Sequence, residues 1–506
     1  MKVYLMFKDR NFDLQQKLPK NEQVLLQDLE LETLFDAMAL GDNFIFEVAR
    51  KVILSGFNND TDTVLYRQDI LKDCLKNPSV IRSIYEIAKE TIENEKKNYW
   101  GLFSKYPDFI LQRSKDVLKM FLEMLRKLRI IAEENESKFE SEGFKALFAM
   151  LKKEIDDDFF TEAQNHLREL NFDEGMLISA ELGKGNKGIN YILRKSQEKN
   201  QSLIKRFFAK KVPVYTFYIS GRDESGARAI SELKERGINL VANALAQSVD
   251  HILNFFKVLK TELTFYIGCL NLYEQLSQIG EPTSFPVPVD TDERKLSFKE
   301  LYDVCLALTV KHRIVGNSLN LDDKDLVIIT GANQGGKSTF IRSIGLAQLM
   351  MQSGMFVPAE FFSSNIFDGL FTHFKRKEDE TMKSGKLDEE LARMSEIVDD
   401  ITLNSMLLLN ESFSATNERE GSQIAEEIIS ALLEKRIKVF FVTHLYEFAN
   451  SFYNKKLKNA IFLRAQRKSD GTRTYKIIEG KPLETSFSRD LYKKIFGENE
   501  GENELI

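Results

Sequence analysis

Cysteine, proline and long apolar runs are all scarce in this sequence of 506 residues. The three cysteines, Cys74, Cys269 and Cys305, are an odd number and lie far apart, which excludes a disulfide framework and predicts three buried thiols. No apolar run approaches the ~18 residues of a membrane span, and the start MKVYLMFKDR carries charge too early for a signal peptide. With only nine prolines to interrupt helices, we expect a largely helical, soluble protein of the cytoplasm with no membrane partner.

An excess of basic charge is also lacking. The chain has 71 Lys and Arg against 77 Asp and Glu, a net charge of −6, so any nucleic-acid surface has to be local. Residues 183–211 fit, because they contain nine basic residues and one acidic residue, a net charge of +8, with Phe207 and Phe208 available for stacking. The alternative is a solvated charged face. The candidate DNA contacts are Lys184, Lys187, Arg194, Lys195, Lys199, Lys205, Arg206, Lys210 and Lys211.

Two apolar stripes at helical spacing predict long helices. One stripe runs from Val117 to Ile131, and the other runs from Val241 to Tyr266 and predicts a helix of about seven turns. Both indicate helix packing in a large α domain. Between them, short β-branched and aromatic runs at 176–182, 188–194 and 212–220 predict a small β-rich insertion that carries the basic segment.

After Pro282, Pro286 and Pro288, the pattern changes to alternating strand and helix. Apolar strands are predicted at 326–330, 406–410 and 438–443, with helices that begin near Lys337 and Gly421. Near-continuous apolar strands separated by helices are typical of a parallel sheet covered on both faces.

The strand at 326–330 runs into a sequence that fits G-x-x-x-x-G-K-[ST], the phosphate-binding loop. Its glycines let backbone N–H groups close around phosphates, and the following helix adds its positive N-terminal end. Lys337 is expected to reach the β- and γ-phosphates of ATP as a catalytic residue, and Ser338 to bind Mg²⁺. The alternative is a glycine turn before a core helix. The residues expected to bind the nucleotide here are Gly331, Ala332, Asn333, Gln334, Gly335, Gly336, Lys337, Ser338 and Thr339.

Polar residues also end the two later strands, at the edge where open α/β sheets place their sites. Asn410 stands where an aspartate is usual, and its amide oxygen can order a metal's water shell but adds no charge. Glu411 is the candidate general base, and with Ser338 and Asn410 it completes the predicted Mg²⁺ site. His444 follows the strand at 438–443 and is a candidate γ-phosphate sensor. No role is assigned to the remaining histidines, His166, His251, His312 and His373.

These elements resemble those of the MutS-type DNA mismatch-repair ATPases. Residues 317–360 are similar to the family's NPLNL, TGPNMGGKST and YVPA elements, NESFSATNEREG at 410–421 to DEIGRGTSTYDG, and VTHLYEF at 442–448 to ATHYFEL. Residues 34–78 resemble the start of the family's core domain more weakly.

The resemblance implies a multidomain α plus α/β protein whose helical core and lever carry a clamp and precede an ABC-like P-loop ATPase domain with a largely parallel sheet. The expected boundaries are an N-terminal segment at 1–30, core and lever at 31–170 and 223–281, a basic clamp insertion at 171–222, and the ATPase domain at 290–506.

The resemblance also implies a homodimer with composite nucleotide sites, which clamps duplex or branched DNA and works with other repair proteins. Asn333 would contact the γ-phosphate region, Glu411 would serve hydrolysis, and His444 would act as a switch. Ser384 and Gly385 lie where the family has SGRSTF, which reaches the partner's nucleotide, but this sequence departs from that pattern after Lys386.

Two specialised ends of the family are not expected here, namely the mismatch-finding domain with its F-x-E wedge and an appended nuclease domain. Phe160-Thr161-Glu162 matches F-x-E, but it sits in an acidic helical stretch and is interpreted as coincidence. The expected function is a slow Mg-ATP-dependent DNA-clamping ATPase of mismatch repair or a related repair or recombination process. The alternatives are a nucleotide-gated scaffold on structured RNA or a ribonucleoprotein, and, less favoured, a transporter ATPase.

Overall fold

Two units make up the chain in this computed structural model, which describes residues 1–97, 106–173, 175–195, 215–376, 385–468 and 472–483. The first unit contains residues 1–3, 79–140 and 144–261, and the second contains residues 4–78, 141–143 and those from 262 onward. The helices are α1 (Glu22–Asp28), α2 (Leu31–Ala39), α3 (Asn43–Leu54), α4 (Thr61–Lys76), α5 (Pro78–Lys97), α6 (Pro107–Asn135), α7 (Glu142–Glu154), α8 (Asp157–Glu169), α9 (Glu224–Ile279), α10 (Val304–Val310), α11 (Lys337–Gln352), α12 (Lys386–Asp400), α13 (Glu418–Glu434) and α14 (Tyr446–Lys455).

The strands in the described part of the chain form three sheets. They are β1 (Leu177–Leu182), β2 (Gly188–Arg194), β3 (Val287–Val289), β4 (Leu296–Leu301), β5 (Asn317–Asn320), β6 (Leu326–Thr330), β7 (Phe361–Asn365), β8 (Leu370–Phe374), β9 (Met406–Asn410), β10 (Lys438–Val442), β11 (Ala460–Arg467) and β12 (Arg473–Glu479). Among the described helices, none is both long and apolar enough to cross a membrane. The three cysteines are buried free thiols, as predicted.

In the first unit, α6 packs on the long helix α9. The predicted stripe of α6 is buried from Val117 to Leu128, and the rings of Phe121 and Phe256 lie 5.9 Å apart. The helix α9 has 56 residues, more than twice the predicted length. The extra turns lie on both sides of the apolar stripe: residues 224–240 precede it in a largely exposed stretch where periodicity gives no signal, and residues 267–279 follow it.

Two of the three strands predicted between the helical stripes are present. Strands β1 and β2 form an antiparallel hairpin in which Leu177 pairs with Arg194 and Leu182 pairs with Gly188. The third prediction was wrong where it can be compared, because residues 215–220 form no strand, while 212–214 lie outside the described residues. Tyr215, Phe217 and Tyr218 are at least 80% exposed, so their aromatic run packs on no described sheet.

The second unit is built on a six-stranded sheet with the order β12-β11-β6-β10-β9-β8. Every neighbouring pair is parallel except β11 with β12, which confirms a largely parallel sheet. The side chains of β6 and β10 are all buried, since helices α11, α13 and α14 pack on the sheet. Parallel alignment brings the carboxyl ends of β6, β9 and β10 to one edge.

A second, four-stranded sheet has the order β3-β7-β4-β5. Its strands are short and mixed in direction, with β3 parallel and β4 antiparallel to β7. This sheet was not predicted from the sequence, because strands of three to six residues with interspersed polar side chains give little periodicity.

The N-terminal segment of the second unit packs around a buried carboxylate. Glu262, in the C-terminal third of α9, accepts hydrogen bonds from the backbone N–H groups of Leu5 at 2.6 Å and Phe12 at 2.9 Å. The fully buried Arg67 donates from Nε to the carbonyl of Met6 at 2.9 Å. These side chains form hydrogen bonds with polar backbone groups that would otherwise be buried without partners.

Candidate functional site

The phosphate-binding loop lies between β6 and α11 and depends on its glycines. Gly331 and Gly336 have φ angles of +110° and +87°, which side chains other than glycine rarely adopt. A Cβ on Gly335 would lie 2.7 Å from the Cβ of Ala465 on β11, so that position has no space for a side chain. The loop is therefore held close to the neighbouring strand.

Lys337, the first residue of α11, points back into this loop. Its Nζ donates hydrogen bonds to the carbonyls of Gly331 at 2.8 Å and Ala332 at 3.0 Å. Burial lowers the pKa of Lys337 to about 8, although the nearby Glu411 raises it. A phosphate oxygen could replace the two carbonyls as acceptor, because the lysine is still mostly protonated near neutral pH.

Ser338 and Asn410 meet at the carboxyl edge of the sheet. The hydroxyl of Ser338 donates to Oδ1 of Asn410 at 3.1 Å, although they are 72 positions apart in the sequence. A hydroxyl and an amide oxygen are both acceptable Mg²⁺ ligands. Within the described residues, no group of three or more His, Cys, Asp or Glu could hold a metal. This edge therefore fits a metal that also takes ligands from a bound nucleotide and water.

Glu411 and His444 form the acidic and basic pair of the site. His444 Nε2 lies 3.2 Å from Glu411 Oε1, and the side chains are about one-third exposed. The hydrogen bond to His444 lowers the pKa of Glu411, and the charges of Lys337 and Lys375 lower it further. The carboxylate is therefore ionised near neutral pH and able to accept a proton from water.

The backbone at Glu411 is fixed in an uncommon conformation. Its φ angle is +57°, and its N–H donates to the carbonyl of Val442 at the end of β10 at 2.8 Å. A left-handed residue other than glycine persists where its surroundings over-determine it, which is common at functional sites.

Sequence reasoning missed two basic residues near this edge. The charge of Lys375, which follows β8, lowers the pKa of Glu411, and the charge of Arg473 on β12 lowers the pKa of Lys337. Lys375 carried no signal in the sequence, because the strand that precedes it, β8, was not predicted. No signal marks Arg473 either, which stands at the start of β12.

The remaining nucleotide-site predictions are only partly described. Asn333 and Gln334 are exposed on the loop, and Thr339 is half-buried in the first turn of α11. Gly385 caps the N-terminus of α12, whereas Ser384 lies outside the described residues.

The predicted DNA contacts are described at four positions. Lys184 and Lys187 are exposed in the turn of the β1–β2 hairpin. Arg194 donates from Nε to Ser179 at 2.9 Å, and Lys195 forms an ion pair with Glu169 at 2.7 Å, so these two also serve local structure. The other five predicted contacts lie outside the described residues, namely Lys199, Lys205, Arg206, Lys210 and Lys211.

The F-x-E match at Phe160 belongs to the packing of helix α8. Phe160 is 4% exposed, and the guanidinium of Arg126 lies 4.8 Å from its ring centroid. A buried ring cannot act as a wedge, which agrees with the interpretation of the F-x-E match as coincidence.

Comparison with known proteins finds family models that match two separate ranges of the chain. Residues 59–279 match the family model described as the MutS2 N-terminal domain, and residues 327–492 match MutS domain V. Two similar proteins are called DNA mismatch repair protein MutS. That of Thermotoga neapolitana is 35% identical over 170 residues, 33% of this chain and 21% of that protein. That of Methanosarcina barkeri is 27% identical over 231 residues, 43% of this chain and 26% of that protein. The chain thus spans about a fifth to a quarter of the length of these relatives.

Proposed function

We propose that this chain, a MutS-related protein, is a DNA-binding ATPase that uses Mg-ATP to control its hold on duplex or branched DNA. The relatives named for DNA mismatch repair support that process or a related repair or recombination process. The observation that carries the proposal is the ionised Glu411 carboxylate, paired with His444 at the same sheet edge as Lys337 and Ser338.

In the proposed reaction, the residues of this edge divide the work. Lys337 releases the loop carbonyls and binds the β- and γ-phosphates, while Glu411 orients water for in-line attack and accepts its proton. His444 holds the Glu411 carboxylate and responds to the γ-phosphate. Ser338 and Asn410 would hold Mg²⁺, which neutralises phosphate charge. Since Asn410 adds no charge, turnover is slow.

In the proposed assembly, two copies of the chain share their nucleotide sites and clamp DNA through the basic hairpin. Lysine and arginine contacts to phosphates carry no sequence information, so binding depends on the shape of the DNA rather than on a mismatch. ATP occupancy changes the DNA affinity by favouring one of two conformations.

The test compares wild type with Glu411→Gln, which keeps the size of the side chain and removes its charge. Loss of the base is expected to lower kcat for ATP about 100-fold or more with nucleotide affinity nearly unchanged. In parallel, DNA affinity is measured for homoduplex, mismatched and branched DNA and for structured RNA, with and without Mg-ATP. Equal ATP turnover in the two proteins contradicts the proposal, and so does a DNA affinity that is the same with and without Mg-ATP. A tenfold preference for a single mismatch contradicts the shape-based part.

A second candidate is a nucleotide-gated scaffold that binds structured RNA or a ribonucleoprotein and barely hydrolyses ATP. The neutral Asn410 next to Ser338 favours it, because the metal site then has less charge to support chemistry. The RNA samples in the same binding series distinguish this candidate. If it is right, the protein binds RNA tightly and turns over little ATP.

A further inference from the structure

His373 is a buried histidine that the site described above does not use. It lies on β8 with no solvent exposure, and its ring stacks on Phe413 with centroids 5.7 Å apart. Its Nδ1 is 2.7 Å from Oγ of Ser412, and its Nε2 is 3.0 Å from the carbonyl oxygen of Glu390. Ser412 directly follows Glu411, and Glu390 lies in the second turn of α12. One imidazole therefore bridges the loop of the candidate base and a separate helix.

The proton count at this bridge fixes the direction of each hydrogen bond. Burial, with the positive charge of Arg393, lowers the pKa of His373 to about 4, so the ring is neutral at pH 7. The carbonyl of Glu390 can only accept, so Nε2 carries the single ring proton and Nδ1 accepts from the Ser412 hydroxyl. That hydroxyl also lies 2.7 Å from the carbonyl of His373. Its one proton thus has two acceptors, both of them on His373.

Helix α12 contacts the same loop a second time through the Glu390 side chain, which is 7% exposed. Burial raises the pKa of Glu390, whereas hydrogen bonds from the backbone N–H groups of Phe413 and Ala415 lower it. The loop after β9 is therefore joined to α12 by a side chain and, through His373, by a backbone carbonyl.

The backbone that this bridge anchors is strained on both sides of Ser412. Glu411 and Phe413 have φ angles of +57° and +61°, sparsely populated for residues other than glycine. Such conformations require fixed surroundings.

We propose that His373 is a positioning residue: it links α12 to the loop that carries Glu411, so that the position of this helix sets the orientation of the Glu411 carboxylate. The inference rests on the proposed ATPase function. It adds a regulation of the same site, because α12 begins directly after Gly385, one of the two residues that the resemblance assigns to contact with the partner's nucleotide.

The test is a double-mutant cycle with His373→Phe, which retains ring volume and stacking, and Ser412→Ala, which removes the hydroxyl. Each variant is expected to lower kcat for ATP at least tenfold and to leave the KM within threefold. The double variant is expected to be no worse than the worse single variant, because both changes break one link. The matched control is Ile429→Ala, which changes a buried residue of α13 outside the bridge. It is expected to lower the unfolding temperature, but to leave kcat unchanged at assay temperatures well below unfolding.

Turnover within twofold of wild type in either single variant, or fully additive losses, overturns the inference. The failure of the proposed function is a separate result, namely wild-type turnover no higher than that of Glu411→Gln. In that case ¹⁵N NMR of the histidine rings still tests the positioning role of His373. The His373 Nδ1 signal, assigned with His373→Phe, is expected to shift in Ser412→Ala and on addition of Mg-ADP to wild type. An Nδ1 signal indifferent to both changes overturns the positioning role.

Discussion

Asn410 shows how one side chain can set the chemistry of a whole edge of the sheet. Its amide oxygen accepts the Ser338 hydroxyl, so it sits where a metal ligand is needed, but it carries no charge. A carboxylate at this position would attract the cation more strongly and help to neutralise the phosphates.

Replacing Asn410 by Asp is therefore expected to lower the Mg²⁺ concentration for half-maximal ATP turnover and to raise kcat about threefold or more, which corresponds to roughly 0.7 kcal/mol of the barrier. Steady-state kinetics over a Mg²⁺ series measures both effects. Asn410→Ala serves as control and should move both quantities the opposite way. An unchanged Mg²⁺ dependence in Asn410→Asp would mean that the side chain does not face the metal.

The sequence was sufficient to predict site residues that belong to local patterns. Lys337 and Ser338 follow from the order strand, glycine loop and helix, and Glu411 and His444 follow from polar residues at strand ends. The bridge from His373 to Ser412 does not follow, because it depends on β8 lying beside β9. A single sequence indicates that parallel strands exist, but it does not specify which strands are neighbours.

At the scale of elements, prediction succeeded where a segment is apolar and regular. Strands β2, β6 and β9 begin and end at the predicted residues because each is a short apolar run bounded by glycine, serine or charged residues. The run at 212–220 has the same composition, but residues 215–220 form no strand. A strand needs a paired neighbour, which residue composition does not supply.

Helix α9 carries a titration that its sequence alone does not reveal. Burial raises the pKa of Glu262 to about 7, although three backbone N–H groups favour its charged form. The fold therefore prefers the protonated carboxyl, and this contribution to stability is present at acid pH and lost as the pH rises from about 4.5 to 7. Neighbouring Tyr66 and Arg67 have pKa values of about 12 and about 10, so they do not titrate in this range.

Glu262→Gln is expected to remove this dependence. Between pH 5 and pH 8, the free energy of unfolding of wild type should fall by about 2 kcal/mol relative to the variant. Urea unfolding at pH 5, 6.5 and 8 measures the difference, and Glu274→Gln, on the same helix, gives the control slope. Parallel pH profiles for wild type and Glu262→Gln would show that the carboxyl titrates normally in the folded protein.

At the scale of the whole molecule, charge is distributed unevenly. The chain is acidic overall, yet Lys184 and Lys187 project from a hairpin turn with other basic residues close in the sequence. Each lysine that neutralises a DNA phosphate releases a counterion, so its contribution is visible in the salt dependence of binding.

Replacing Lys184 and Lys187 together by Gln is expected to weaken DNA binding severalfold and to reduce the slope of log affinity against log salt by about 2. Fluorescence anisotropy at several salt concentrations provides the measurement. The control is the double replacement of Lys435 and Lys456 by Gln, exposed lysines of the second unit. Equal slopes for the two double variants would assign the hairpin charge to a solvated face.

The second unit is built from chain segments that are far apart in the sequence, and this has a consequence for synthesis in the cell. Leu5, Met6 and Phe12 are translated about 250 residues before their shared acceptor, Glu262. At 5–20 residues per second, the N-terminal segment must wait on the order of tens of seconds for its acceptor to leave the ribosome. During that interval residues 5–12 lack their partner, and the first unit is also incomplete, because it extends to residue 261. Neither unit can therefore complete its fold until helix α9 has been translated, so we expect the demand for chaperones to last until then.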